Sequence, residues 1–247
     1  MKKRFWSGYL YIAPALIVIG VFTLYPLVRV FVMSFYQGYD FAAGTVKSLG
    51  WDNYKFIAGD DVFHKALRNT FLYVLVVSPV TVVLALLLAV VLNSKIRLRD
   101  LFQTIYFLPY VTSVVAMGIV FGWIFHSRYG IVNYVLSWFG VAPVQWLNDP
   151  KMALPTLFFF SIWKGLSFHI VIFLAGLQGI DPQYYQVARV DATPPHRVFF
   201  KITMPLLSPI IAYAFVIEMI QSFKVYTEVV ALFGGTAGPA NSAMTLV

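Results

Sequence analysis

Five long apolar stretches, at about 9–35, 69–93, 101–125, 153–178 and 205–223, dominate the chain and are separated by polar connectors. Each approaches or exceeds the roughly 20 residues that cross a hydrocarbon core of about 30 Å at 1.5 Å per residue. An open strand edge cannot satisfy its backbone groups in lipid, so the pattern predicts helices. The predicted class is all-α: a polytopic helical bundle in a membrane, with residues 1–247 as one transmembrane domain. Pro14 and Pro26 fall inside the first stretch, and Pro205 and Pro209 open the fifth.

Composition agrees with lipid as the solvent. Hydrophobic residues make up 60% and charged residues 11%, with a mean hydropathy of +0.78. Soluble domains carry about 25% charged residues. The first stretch is also too long for the apolar region of a signal peptide, about 7–15 residues, and reads as an uncleaved first span. A net charge of +8 would suit a nucleic-acid binder if the cations formed one stripe. They do not. Lys2, Lys3 and Arg4 precede the first stretch; Lys95, Arg97 and Arg99 crowd residues 94–100; Arg189, Arg197 and Lys201 lie in 179–204. Short basic connectors belong on the cytoplasmic side. The N-terminus and the connectors 94–100 and 179–204 are therefore expected inside a cell (inner or plasma) membrane, with 36–68 and 126–152 outside.

The chemistry that is missing narrows the function. The chain has no cysteine, which excludes disulfides and cysteine metal sites. His64, His126, His169 and His196 are scattered without ligand spacing, so no metal site is expected. No G-x-x-x-x-G-K-[ST] phosphate cradle is present. No nucleophile, base and ligand cluster at one depth, as a membrane enzyme would need.

The connector 179–204 carries the strongest motif. Tyr184, Val187 and Ala188 have helical spacing, Thr193 is a candidate N-cap before Pro194, and Val198, Phe199 and Ile202 resume the period. This predicts a helix–turn–helix, either lying on the headgroups or docking a partner in a groove. The segment resembles the cytoplasmic motif of permease subunits of binding-protein-dependent ABC importers, in the carbohydrate-uptake group. That pattern is Glu-Ala-Ala, three residues, Gly, nine residues, Ile, one residue, Leu-Pro. Gln186, Val187 and Ala188 take the first three places, Ala192 the Gly place, Ile202 the Ile place, and Met204-Pro205 the last two, with Asp191 before the Gly place. With alanine at the Gly place, the turn is expected to avoid positive φ. The run Leu49-Gly50-Trp51-Asp52-Asn53-Tyr54 resembles the family's outer-loop signature, and Asn69-Thr70 and residues 234–246 fit as well. A Gly/Pro-rich cluster at 234–239 is expected to lead into a sixth span beyond this sequence.

The resemblance implies a type I importer permease that rocks between inward- and outward-open states. It implies a second permease subunit (a homologue), a pair of separate cytoplasmic ABC ATPases holding ATP and Mg, and an extracytoplasmic solute-binding protein. The permease would contact lipid and no nucleic acid, would not itself be an enzyme, and would carry a sugar or oligosaccharide. The alternative is a gradient-driven secondary transporter, for which carboxylates near the midplane would be needed; the spans offer essentially Glu218.

Polar residues inside the apolar stretches mark a candidate path. Ser161, Lys164 and Ser167 read as one stripe, with Lys164 about 16 Å from the end of its helix. Glu218, Gln221 and Ser222 read as another. Lys164 and Glu218 would bind sugar hydroxyls, with Trp163, Phe168 and Tyr226 covering the apolar faces of the rings. The same groups could instead form an ion pair or polar glue between helices. His169 falls about 140° from the Lys164 stripe and reads as a packed or hydrogen-bonded histidine. Arg29 is expected to snorkel, and Gly118 and Gly122 to serve close helix packing.

Overall fold

The computed structural model describes residues 3–40, 43–94 and 99–234. The chain divides into two compact units, Met1–Phe63 and His64–Val247. Lys95, Arg97 and the Gly/Pro-rich cluster after Gly234 lie outside the described residues.

In the first unit, α1 (Lys3–Ile19), a π-helical turn (Gly20–Leu24) and α2 (Tyr25–Met33) follow one another without a break. The π turn has a local cause. Pro26 lacks an N–H, and its ring crowds the carbonyl four residues back, that of Phe22. Widening the helix there relieves the clash. Tyr11–Met33 is long and apolar enough to cross a membrane, and its apolar side chains are exposed on every face.

Beyond α2, β1 (Tyr36–Gln37) pairs antiparallel with β2 (Ser48–Leu49), and α3 (Asp52–Ala58) follows. The run from Leu49 to Tyr54 has a structural reason. Asn53 Nδ2 donates to the carbonyls of Ser34 (2.9 Å) and Tyr36 (3.0 Å). Trp51 and Tyr54 set their rings 5.0 and 5.3 Å from Phe35. The Gln37 amide fills the space that a Cβ on Gly50 would need, and Asp52 and Ser48 hold it there. The motif staples the hairpin to the end of α2.

The second unit is helical apart from its connectors among the described residues. α4 (Asp61–Asn93) starts earlier than the apolar stretch at 69 and runs 33 residues, about 50 Å. Ala66, Thr70, Tyr73, Val77 and Thr81 form one buried stripe along it. The stretch expected to span at 101–125 is two helices: α5 (Arg99–Val111) and α6 (Val114–Ile124) meet at a bend of 110°. Pro109 removes a donor from the last turn of α5. Thr112 Oγ1 then donates back to the Leu108 carbonyl at 2.7 Å, and Ser113 leaves the helix at ψ 130°. Hydropathy counts apolar residues and does not register such a bend.

The connector that follows holds α7 (Ile131–Ser137) and is organised by Asn133. Its Nδ2 donates to the carbonyls of Ser127 and Val144, both at 2.9 Å, and its Oδ1 accepts from Val144 N and Trp146 Nε1. Asn133→Ala strips partners from these buried groups and is expected to loosen the connector by about 2–3 kcal/mol. Faster protease cleavage within residues 126–152 is the readout; parental cleavage rates would contradict it.

α8 (Ala153–Gln178) is central. One half of its buried surface, Ile170, Phe173, Leu174 and Leu177, packs with Ala85 and Ala89 of α4 and with Leu207 and Ala214. The other half, Leu154, Leu157 and Phe160, packs with Tyr73 and Val77 of α4 and Phe121 of α6. α9 (Pro182–Val190) and α10 (Pro195–Val198) come next, then a second π turn (Phe199–Thr203) and α11 (Met204–Phe223). Pro195–Phe223 is one helical run of 29 residues. The expected loop at 179–204 thus contains the start of this long helix. That helix is capped at Pro194, one residue after the predicted Thr193 cap. The second π turn again sits just before a proline, Pro205, whose ring faces the carbonyl of Lys201. α12 (Thr227–Phe233) packs on α6 and α8. A Cβ on Gly118 would lie 2.4–2.7 Å from Ala231, including its backbone. Gly122 has open space in the same position.

Candidate functional site

Two regions gather the residues singled out from the sequence. The first is the α9 turn. Asp181 caps α9 by accepting from Gln183 N at 2.9 Å, and Pro182 takes the first helical position. At the other end Thr193 N donates to the Ala188 carbonyl (2.9 Å) and Ala192 N to that of Arg189 (3.0 Å). These two bonds form a Schellman motif, whose C′ residue takes the left-handed conformation. Ala192 occupies that place at φ 48°, so the expectation that alanine would avoid positive φ is corrected. The hydrogen-bond pair and the packing of buried Ala188 outweigh a local cost of about 1–2 kcal/mol. Ala192→Gly is therefore expected to raise the unfolding free energy by about 1 kcal/mol. A thermal melt of the solubilised protein measures it, and an unchanged or lower midpoint would count against the turn geometry.

Gln186, Val187 and Asp191 are exposed, Ile202 is half-buried and Pro205 exposed. Tyr184, Val187 and Val190 leave an apolar edge of α9 in solvent. Tyr185 OH and Thr203 Oγ1, 3.2 Å apart, tie α9 to the second π turn.

The second region is a cavity of about 400 Å³ between α4, α5, α8, α11 and α12. Ser161, Lys164, Glu218, Gln221 and Ser222 line it, so the two predicted stripes do meet. Ser167 does not join them; it is buried and borders a separate pocket with Thr104 and Phe107 of α5. Over six residues the helix has turned about 120°, too far for one stripe. Lys164 pairs with Glu228 of α12, Nζ to Oε1 at 2.6 Å, rather than with Glu218. Glu218 instead faces His169, Oε2 to Nε2 at 3.5 Å. His169 is hydrogen-bonded, as predicted, with Nδ1 2.9 Å from the Gly165 carbonyl and Nε2 3.3 Å from that of Ala214, yet it also lines the cavity. The absent side chain at Gly165 is what admits Glu218 and Thr81: a Cβ there would meet Thr81 Cγ2 at 3.0 Å and Glu218 Oε1 at 3.4 Å.

Ser222 Oγ accepts from Ser78 Oγ at 3.1 Å. Ser161 Oγ is buried and faces Tyr73. Phe168 lines the cavity and stacks on Tyr110, with centroids 5.5 Å apart and planes 18° apart. Trp163 packs instead on Phe121, 4.8 Å away, and exposed Tyr226 is not among the lining residues.

Sequence reasoning missed Glu228, Tyr73, Tyr110 and Lys224, which also line the cavity. Glu228 lies in a helix of seven residues after the fifth stretch, where a search for polar groups inside apolar runs does not reach. The signal available was its place in the first turn of α12.

Residues 62–245 match the family described as binding-protein-dependent transport system inner membrane component. The chain is 37% identical to the lactose transport system permease protein LacF of Rhizobium radiobacter, over 99% of this chain and 82% of that one. It is 33% identical to the arabinooligosaccharides transport system permease protein AraP of Bacillus subtilis (strain 168), over 98% of this chain and 76% of that one. Among solved structures it resembles a chain of the bacterial alginate ABC transporter in complex with an alginate pentasaccharide-bound periplasmic protein. The TM-score is 0.78 at 26% identity, covering 98% of this chain and 79% of that one.

Proposed function

Since this chain belongs to the binding-protein-dependent transport system inner membrane components, we propose that it is the permease of an ATP-driven importer, forming part of the membrane path for a sugar or oligosaccharide. Named relatives carry lactose and arabinooligosaccharides, and the cavity offers paired donors and acceptors beside aromatic faces, the chemistry that sugar hydroxyls and ring faces require. An extracytoplasmic binding protein delivers the solute, as the solved alginate complex contains a periplasmic protein. A second, homologous permease completes the path. ATP and Mg belong to a separate pair of cytoplasmic ATPases.

The observation that carries this reading is the continuity of Pro195–Phe223. One helical run leads from the α9 turn to Glu218, Gln221 and Ser222 in the cavity. From Pro195 to Glu218 it spans about 35 Å at 1.5 Å per residue. A push on α9 reaches that rod through the short turn at 191–194 and the contact of Tyr185 with Thr203. The exposed edge of Tyr184, Val187 and Val190, with Gln186 and Asp191 beside it, is the surface that an ATPase groove would hold. Closure of the ATPases then rocks α11 against α8, in the sense of alternating access. In this orientation the N-terminus and residues 94–100 and 179–194 are cytoplasmic, and residues 126–152 face out.

The test is a cysteine cross-linking series along residues 184–200 in the assembled transporter, together with Asp191→Ala and replacement of Gln186, Val187 and Ala188. Cross-links to the ATPase are expected, with uptake lost while ATP hydrolysis continues. Labelling of residues 184–200 from outside the cell would overturn the orientation and the coupling role. Uptake that survives ATP depletion and collapses with an ionophore would instead indicate a gradient-driven carrier.

A further inference from the structure

We propose that the cavity selects uncharged saccharides over acidic ones, and that the Lys164–Glu228 pair sets this selection. The inference rests on the cavity being the sugar path, and it deepens that reading by naming the class of sugar.

A uronate moving from the exposed edge into the interior of the cavity gives up hydration, and an unpartnered carboxylate is costly to bury. Among the described residues, the cavity offers no unpaired cation in its interior. The Lys164 ammonium already holds Glu228 at 2.6 Å, with the two side chains only 27% and 19% exposed. His169 faces Glu218 at 3.5 Å, both buried. Lys224 also borders the cavity, but its side chain is exposed, and water and salt screen it. Past that edge, an acidic sugar would face two carboxyl groups, Glu218 and Glu228, and the Lys164 ammonium is already engaged by Glu228.

Uncharged sugars face no such conflict. A hydroxyl donates to Glu228 or Glu218 and accepts from Lys164, so it joins the existing pairs without breaking them. The stacked Phe168 and Tyr110 rings offer an apolar wall to the C–H face of a pyranose. The contrast with alginate, an acidic polysaccharide carried by a structurally similar transporter, makes the distinction worth measuring. A permease of this fold handles acidic chains, and the charge pairing in this cavity argues against that cargo.

The chain contains no cysteine, so Thr227→Cys places a single thiol in it at the exposed edge of the cavity. In the assembled transporter, with cysteines of the other subunits replaced, the rate of modification by a water-soluble thiol reagent is measured. Neutral xylo- or gluco-oligosaccharides and oligogalacturonates of the same length are the probes. Neutral sugars are expected to protect the thiol at concentrations at least tenfold lower than uronates. Adding Glu228→Gln frees Lys164 and is expected to narrow that ratio at least tenfold; adding Lys164→Met as well should restore it. If Thr227→Cys fails to assemble, Gln221→Cys, exposed on the same cavity, serves instead. Equal protection by both sugars, or a ratio indifferent to Glu228→Gln, overturns the selectivity and leaves the path reading standing. Protection by neither sugar, with the thiol still reactive, overturns both.

Discussion

Gly118→Val will remove most folded protein from the membrane, whereas Gly122→Val will leave the amount near that of the parent. The two glycines form one Gly-x-x-x-Gly pattern on α6, and composition gives no reason to separate them. A Cβ on Gly118 would lie 2.4 Å from Ala231 Cβ, 2.6 Å from its carbonyl carbon and 2.7 Å from its oxygen. Two of those three atoms are backbone, so no rotamer change gives way. α12 must move off α6, losing the packing of buried Leu232 near Phe121 and Phe125. Overpacking against side chains costs about 1–3 kcal/mol; displacement of a backbone lies at or beyond the top of that range. Marginally stable proteins tolerate little of this. A Cβ on Gly122 meets nothing within 4 Å. The amount of monodisperse protein extracted in mild detergent decides the matter, and equal yields from the two variants would contradict the α6–α12 contact.

Lys164→Ala is expected to lower uptake by about tenfold or more, measured per assembled transporter, and Lys164→Ala with Glu228→Ala is expected to recover part of the loss. Breaking a fully buried pair by deleting one partner costs about 3–5 kcal/mol. Here the side chains are 27% and 19% exposed, so screening reduces the figure to about 1–2 kcal/mol, and about 1.4 kcal/mol corresponds to tenfold. The single variant leaves Glu228 facing the path without its cation. The double variant removes the orphaned charge along with the pair. A double variant no better than the single one would show that Lys164 matters for itself and not through Glu228. Such cycles are the direct way to apportion a pair of touching residues.

The helical, membrane-spanning character of this protein was legible along the chain. Runs of about 20 apolar residues have few fates other than a helix in lipid. The helix of α9 was legible too, because helical period is local: Tyr184, Val187 and Ala188 repeat within a few residues. Its cap at Asp181 and Pro182 was not read, and the next cap fell at Pro194 and not at Thr193. The conformation of Ala192 was not, since propensity argues against positive φ for alanine and only the hydrogen bonds closing the turn override it. Ser167 was drawn into the path because three-residue spacing looks like a stripe over one turn and drifts over two.

What the sequence by itself determined is therefore the solvent of each segment: which stretches lie in lipid, which connectors do not, and where short-range stereochemistry starts and stops a helix. Tertiary structure alone decided the partners. Lys164 and Glu228 are 64 residues apart, as Ser78 and Ser222 are 144 apart, and no spacing along a chain encodes which of two carboxylates a lysine will reach. That choice followed from the 110° bend between α5 and α6, from the gap left at Gly165, and from the backbone contact at Gly118 that seats α12. Periodicity reports which face of a helix avoids water; only close packing settles which neighbour that face meets.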